Sequence, residues 1–237
     1  NIVDKNIDYT DDIKKILDTT PKQISALINK KIILENDYSP IFLVGMPRSG
    51  TTIVEKVLGN NDNVDEMGEL VILDRLITKI VKENISWPFN ISMLDRADLE
   101  NIGFEYIKAV KEINPKVKNI FVDKMPSNFV HIGLLKIIFP NCKIINTNRN
   151  PYDNCMSIFL LKFSDEFRYS FNLKNLGHYY NDYNKLMNYW KKLYPEEIHT
   201  LVYEDFIENP IKETQKLFNF CNLDYKENDE RFDLNKN

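Results

Sequence analysis

The sequence predicts an α/β fold in which a central, mostly parallel β-sheet is flanked by helices. An apolar run over residues 40–44 leads into a glycine-bounded loop and then a helical pattern, an order typical of phosphate-binding P-loop units. Strand-like and helix-like runs then alternate towards the C-terminus. With 237 residues, 43% of them hydrophobic, the chain can bury one substantial core. We therefore expect a P-loop-containing, three-layer fold with a mainly helical insertion.

The predicted strands are short apolar runs. The first precedes the glycine-bounded loop, and each of the others is followed by a polar segment and a helical pattern. Because the strand–helix order repeats, we expect parallel pairing with helices on both faces of the sheet. The predicted strands cover residues 40–44, 119–123, 143–147 and 198–203.

Prolines indicate where several helices start or stop. Pro140 ends the helix after the second predicted strand, and Pro151 and Pro210 open later helices. The helix that Pro210 opens has Asn209 as its expected N-cap. The predicted helices cover residues 53–58, about 128–139, from 151 onwards, about 173–194, and from 210 onwards.

The chain divides into a main domain and two flanking regions. Residues 1–38 are polar with apolar residues at helical spacing, so we expect a helical lead-in. Residues 39–225 form the main domain, and residues 226–237 form a C-terminal tail. Within the main domain, residues 60–118 carry few strand signals and are expected to be a mostly helical insertion that shapes a substrate pocket.

Composition excludes several classes of partner. Lys+Arg 31 against Asp+Glu 35 gives a net charge of −4, so no basic field argues for nucleic acid or an anionic membrane. No apolar run approaches the roughly 20 residues of a membrane span. Three scattered cysteines are too few for a disulfide framework or a zinc site, so we expect a reducing, cytoplasmic setting. The oligomeric state stays open.

The glycine-bounded loop, Gly45–Thr52, is the strongest chemical signal. Thr51 occupies the position where an ATP-binding Walker A motif carries lysine, and Arg48 is the only cation in the loop. N–H groups at the start of the helix, with the hydroxyls of Thr51 and Thr52, can coordinate a terminal phosphate, and Arg48 can reach a second anionic group. The loop suits a phosphate but is not built like that of an ATPase.

Three further polar segments follow predicted strands and should lie at the same edge of the sheet. The first, residues 123–128, contains Lys124. The second contains Arg149, with Ser157 two helical turns further on. The third begins with Tyr203, an aromatic residue that can stack on a base.

These segments, in this order, resemble the sulfotransferases. The matching motifs are Gly-Met-Pro-Arg-Ser-Gly-Thr-Thr from residue 45, Met-Gly-Glu-Leu from 67, Asp-Lys-Met-Pro-Ser-Asn from 123, Arg-Asn-Pro from 149 with Ser157, and Tyr-Glu-Asp from 203. The sequence looks most like bacterial sulfotransferase domains that are often attached to tetratricopeptide repeats, which are relatives of the tyrosylprotein sulfotransferases. The resemblance covers roughly residues 39–225.

The resemblance implies 3′-phosphoadenosine 5′-phosphosulfate (PAPS) as donor and a hydroxyl-bearing acceptor: a protein tyrosine, a carbohydrate or a small molecule. By position, Arg48, Ser49, Gly50, Thr51 and Thr52 match the loop that binds the 5′-phosphosulfate. A further set matches the nucleotide grip: Arg149 and Ser157 on the 3′-phosphate, and Tyr203 near the adenine.

The resemblance also assigns catalytic roles. Glu69 matches a glutamate proposed as general base, while Lys124 and Arg48 can stabilise the charge of a loose, in-line transition state. A sulfuryl group carries less charge than a phosphoryl group, so no metal is required. Asp65 or Glu66 remain alternatives to Glu69.

Purely structural explanations stay open for the other candidate site residues. Lys124 can form a surface ion pair with Asp123, Arg149 can form a structural ion pair, and Tyr203 can be a core residue. For the whole domain, the alternatives are a P-loop kinase of a small metabolite or a non-catalytic nucleotide-binding domain. Relatives usually continue beyond the last recognisable helix, so we expect the C-terminal tail to be truncated.

Overall fold

The computed structural model describes residues 38–80, 93–161 and 165–232. The helices expected before residue 38 lie outside this described part. Its centre is a five-stranded sheet in the order β2-β3-β1-β4-β5, in which every strand pair is parallel. The strands are β1 (Ile41–Gly45), β2 (Val64–Glu66), β3 (Ile120–Asp123), β4 (Lys143–Asn148) and β5 (Ile198–Val202).

Helices connect and cover the strands. The α-helices are α1 (Thr51–Gly59), α2 (Ile72–Ile80), α3 (Arg96–Ile113), α4 (Ile132–Ile138), α5 (Pro151–Leu160), α6 (Leu173–Leu193), α7 (Tyr203–Glu208) and α8 (Pro210–Cys221). Short 3₁₀ helices cover Pro126–His131 and Asp165–Phe171. The α/β fold class predicted from the sequence is confirmed.

Two hydrophobic cores lie on opposite faces of the sheet. Successive strand residues point to opposite faces, so Phe42 of β1 packs into one core and Leu43 into the other. The larger core includes Trp190 of α6, and the smaller one includes Phe218 of α8. All five residues of β1 are buried, because this strand lies at the centre and is covered on both sides.

The order of the strands creates the site. The carboxyl ends of parallel strands lie at one edge of a sheet, and β1 is paired with both β3 and β4. The loop after β1 is therefore flanked by the segments that follow its two neighbours. Gly45 is in register with Thr147 of β4, so the loop begins beside the end of that strand.

Three details differ from the sequence-based expectation. The region 60–118 is not only helical, because it contributes the edge strand β2. The segment after β3 starts as a 3₁₀ helix at Pro126 and becomes α-helical at Ile132. Tyr203 does not end a strand: it opens α7 directly after β5.

Among the described helices, none has both the length and the apolar character that a membrane crossing demands.

Candidate active site

The backbone of the loop between β1 and α1 requires glycine at a key position. Gly50, the N-cap of α1, has φ +100°, and a Cβ there would lie 2.6 Å from Cδ2 of Tyr203. Arg48 also has a left-handed φ of +65°. A non-glycine residue in this conformation is uncommon and is held in place by surrounding contacts.

Side chains from β4 and α5 supply those contacts. The hydroxyls of Ser49 and Thr147 are 2.6 Å apart, and Thr147 also donates to the carbonyl of Val44 at 3.3 Å. The buried amide of Asn154 on α5 donates to the carbonyl of Pro47 at 2.8 Å. The loop is therefore anchored at Pro47 and Ser49 by elements that follow it by about a hundred positions in the chain.

The N-terminus of α1 is suited to an anion. Gly50 provides no side-chain cap, and the first turn of α1 contains no acidic residue. The first N–H groups of a helix have no partners within the helix and carry a partial positive charge. Ser49 and Thr51 lie buried at this end of the helix, while Thr52 is exposed.

A second part of the site is built around Arg149, directly after β4. Its guanidinium lies 5.0 Å from the ring centroid of Tyr203 and donates to the carbonyl of Arg48 at 3.2 Å. Arg48 in turn donates through Nε to Ser157 Oγ at 3.4 Å. The structure thus brings together four residues that are far apart in the sequence and were all predicted as site residues.

Arg149 forms no ion pair with a carboxylate within the described residues, which argues against a purely structural role. Its Nε is buried and has no hydrogen-bond partner there. A buried donor without a partner is rare in proteins. An anionic ligand at this position would satisfy it.

A third part of the site contains Lys124, directly after β3. Its Nζ donates to Glu69 Oε1 at 2.7 Å and lies 3.9 Å from Glu55 Oε2. The Lys124 side chain is 11% exposed, whereas that of Glu69 is 59% exposed. The ammonium is therefore held between a buried carboxylate and an accessible one.

The neighbouring acids have other partners. Asp65 pairs with Lys118 at 2.9 Å, and Glu66 pairs with Lys56 at 2.6 Å. Of the three acids considered from the sequence, Glu69 is the one beside Lys124.

The expected alternative for Lys124, an ion pair with Asp123, is wrong. Asp123 is completely buried, accepts hydrogen bonds from Tyr106 at 2.6 Å and Asn128 at 3.3 Å, and lies on the core side of the chain. Burial raises its pKa to about 7, against the opposing hydrogen bond from Tyr106.

Several residues at the site were missed from the sequence. Thr147 and Asn154 look like ordinary strand and helix residues, and Glu55 looks like the polar face of an amphipathic helix. Glu204 was noted only as part of the Tyr-Glu-Asp match, yet it accepts from the N–H of Asn150 at 2.9 Å and shapes the turn after β4. Only the fold, which brings distant segments to one edge, reveals these contacts.

Groups of three or more metal-ligating side chains do not occur among the described residues.

A family model described as "Sulfotransferase family" matches residues 40–227, well over half of the sequence. The chain belongs to the sulfotransferase family. The match begins at the first residue before β1 and ends beyond α8, so it covers the whole sheet and every part of the site.

Relatives of this chain include proteins that are considerably longer. An uncharacterised protein of Aquifex aeolicus is 34% identical over 198 residues, which are 79% of this chain and 26% of that protein. A putative protein-tyrosine sulfotransferase of Caenorhabditis briggsae is 23% identical over 82% of this chain and 69% of its own length. The chain thus spans about a quarter of the Aquifex protein.

Solved sulfotransferases share the fold. The sulfotransferase domain of the Synechococcus PCC 7002 olefin synthase has a TM-score of 0.58 at 17% identity and covers 85% of this chain, with 82% of its own length covered. Mouse sulfotransferase SULT7A1, solved in complex with PAP, has a TM-score of 0.50 at 16% identity, over 85% of this chain and 65% of its own.

Proposed function

We propose that this sulfotransferase domain transfers a sulfuryl group from PAPS to the hydroxyl of an acceptor. The observation that carries the proposal is the N-terminus of α1, which has no side-chain cap and is suited to binding an anion. It lies beside Arg149, whose buried Nε has no hydrogen-bond partner among the described residues. Family membership and the PAP complex of a mouse relative support the same donor.

The residues present fit such a donor in two places. The N–H groups at the start of α1, with Ser49 and Thr51, would hold the 5′-phosphosulfate, and the Thr52 hydroxyl would be accessible to it. Arg149 and Ser157 would hold the 3′-phosphate, with Arg48 bridging the two groups of residues. Tyr203, already stacked against Arg149, would flank the adenine.

The donor, when bound, supplies the sulfuryl group: its S–O bond to the 5′-phosphate breaks as the acceptor oxygen bonds to sulfur, and the electron pair stays on the phosphate. Glu69 accepts the proton of the acceptor hydroxyl, a role that its exposed position permits. Lys124 and Arg48 stabilise the charge that develops on the bridging oxygen. A sulfuryl group carries less negative charge than a phosphoryl group, so we infer that no metal is required.

We also infer a reducing, cytoplasmic location, supported by three cysteines that are all free thiols. The acceptor can be a protein tyrosine, a carbohydrate or a small molecule, since the pocket side chains do not distinguish between these classes.

The test measures 3′,5′-adenosine bisphosphate binding by calorimetry and PAPS-dependent sulfation of a tyrosine peptide, 4-nitrophenol and N-acetylglucosamine. We expect Arg48→Ala to weaken binding and turnover, and Glu69→Gln to lower turnover by about 100-fold with binding unchanged. Glu100→Gln, which removes a partly exposed carboxylate of α3 that pairs with Arg96, is the control for charge loss.

Two outcomes would reject the proposal. Failure of the wild-type chain to bind the bisphosphate, together with magnesium-dependent ATP binding, would indicate a P-loop kinase. Tight bisphosphate binding without transfer to any of the three acceptors would favour a non-catalytic nucleotide-binding domain.

A further inference from the structure

Glu55, on α1, is a buried acid that the proposed roles do not use. Only 5% of the residue is exposed, and most residues of this short helix are buried with it. Acidic side chains are almost never fully buried unless they are paired. Burial raises the pKa of Glu55, and the Lys124 ammonium opposes this effect.

Both carboxylate oxygens of Glu55 have partners in the segments that carry the candidate catalytic residues. Oε1 accepts a hydrogen bond from the N–H of Gly68 at 2.8 Å, and Oε2 lies 3.9 Å from Nζ of Lys124. Gly68 directly precedes Glu69 in the chain. One buried side chain therefore contacts the backbone that carries the candidate base and the candidate cation itself.

The backbone closes this arrangement into a ring of contacts. The N–H of Lys124 donates to the carbonyl of Gly68 at 3.0 Å, and its Nζ donates to Glu69 at 2.7 Å. Gly68 has φ +68°, a conformation that favours glycine. Glu55, Gly68, Glu69 and Lys124 thus form a closed unit that joins α1 to the ends of β2 and β3.

The two carboxylates of this unit differ in accessibility. Glu69 is 59% exposed and can meet an acceptor, whereas Glu55 has a side chain that is only 6% exposed. When Glu69 takes up a proton, it stops balancing the charge of Lys124. A largely buried ammonium without a counter-charge is strongly unfavourable.

We propose, building on the sulfotransferase function above, that Glu55 is a positioning residue that provides the lasting counter-charge for Lys124 and fixes Gly68, which leaves Glu69 free to accept the acceptor proton. Glu55 itself touches neither donor nor acceptor. It acts through Lys124 and the Gly68 backbone.

The first experiment compares Glu55→Gln with wild type in PAPS turnover, using whichever of the three acceptors the wild type sulfates fastest. Glutamine keeps an oxygen for the Gly68 N–H but removes the charge. We expect kcat to fall about 10-fold, while KM for PAPS and the Kd of 3′,5′-adenosine bisphosphate stay within about 3-fold. Glu213→Gln, which removes a largely buried carboxylate paired with Lys216 on α8, is the matched control and should leave kcat unchanged.

The second experiment repeats the substitution in a Lys124→Met background. If Glu55 acts through Lys124, adding Glu55→Gln to this background should change kcat by less than about 2-fold. A wild-type kcat in the single variant, or a full 10-fold loss in both backgrounds, would overturn the proposal.

Urea unfolding of the same four proteins separates this proposal from the function on which it rests. We expect each single variant to lower the unfolding midpoint and the double variant to recover part of the loss, because both charges then leave together. If no acceptor is sulfated, the proposed function fails, but the unfolding midpoints still show whether Glu55 and Lys124 form a stabilising pair. If Glu55→Gln does not fold and the double variant does not either, the pairing is rejected.

Discussion

The hydroxyl of Thr147 is the contact through which β4 holds the loop that follows β1. It lies 2.6 Å from the hydroxyl of Ser49 and also donates to the carbonyl of Val44. Both Thr147 and Ser49 are almost completely buried, so water cannot replace either partner. The position of the loop therefore depends on a residue that makes no contribution to its sequence motif.

Thr147→Val tests this dependence while preserving side-chain shape. The substitution leaves the buried hydroxyl of Ser49 without this partner, so we expect the free energy of unfolding to fall by about 1–2 kcal/mol. Binding of 3′,5′-adenosine bisphosphate should weaken as well, because Ser49 belongs to the loop. Urea unfolding and calorimetry measure the two effects.

Thr214→Val on α8 is the matched control. Thr214 is equally buried, but its hydroxyl has no hydrogen-bond partner within the described residues. Replacing it should leave stability unchanged or raise it by up to about 1 kcal/mol, with no effect on binding. Equal losses in the two variants would contradict the role given to Thr147.

At the scale of single residues, the sequence predicted those site residues that belong to a recognisable motif. Arg48, Arg149, Ser157 and Tyr203 were expected to meet, and they do. Glu55 was not expected, because an acid in an amphipathic helix usually faces solvent. It is buried because the segments after β2 and β3 pack against it, and the local sequence of α1 gives no sign of these contacts.

At the scale of elements, the segment over residues 223–232 is attached to the far end of α1. Asn60 donates from one amide group to the carbonyls of Asp229 at 2.8 Å and Arg231 at 2.6 Å. Asn61 donates to the carbonyl of Asp224 at 2.9 Å. The segment has no regular secondary structure, so these side-chain contacts hold much of its backbone.

Asn60→Ala should release this segment without unfolding the domain. We expect trypsin to cleave at Lys226 and Arg231 about 10-fold faster, because local opening becomes easier when two hydrogen bonds are lost. Mass spectrometry of the fragments measures the rate. Asn63→Ala, an exposed residue of the same turn, is the control and should leave cleavage unchanged.

The elements that sequence patterns located best are long or marked by proline. The expected helix over about 173–194 is found as α6 (Leu173–Leu193), and Pro151 and Pro210 open helices as expected. The edge strand β2 was missed because it has three residues, two of them acidic. It is a strand because β3 offers it a parallel partner, and its own sequence has no strand periodicity.

At the scale of the whole molecule, stability should depend on the buried carboxyl of Asp123. Burial raises its pKa to about 7, well above the value near 3.9 of a free aspartate. Between about pH 4 and 7 the folded state therefore binds more protons than the unfolded state. The contribution of this group to the free energy of unfolding falls as pH rises through that window and levels off above about 7.

Asp123→Asn removes this pH dependence of the stability, and the asparagine oxygen can still accept the hydrogen bond from Tyr106. We expect the variant to gain stability relative to wild type as pH rises from 5 to 8, by at most roughly 3 kcal/mol. Urea unfolding at several pH values measures the difference. Asp62 is an exposed carboxylate paired with Lys226, and Asp62→Asn should lose stability between pH 5 and 8 as the wild type does. The same pH dependence in both variants would contradict the role given to Asp123.

The contacts that assemble the loop also set the order in which the site can form during synthesis. Ser49 meets its partner 98 positions later, and Arg48 meets Arg149 and Ser157 at separations of 101 and 109. β1, made early, stays unpaired until β3 and β4 have left the ribosome. A nascent chain that already contains the complete loop motif therefore still lacks the contacts that position the loop, and it exposes a fully apolar strand that a chaperone can recognise.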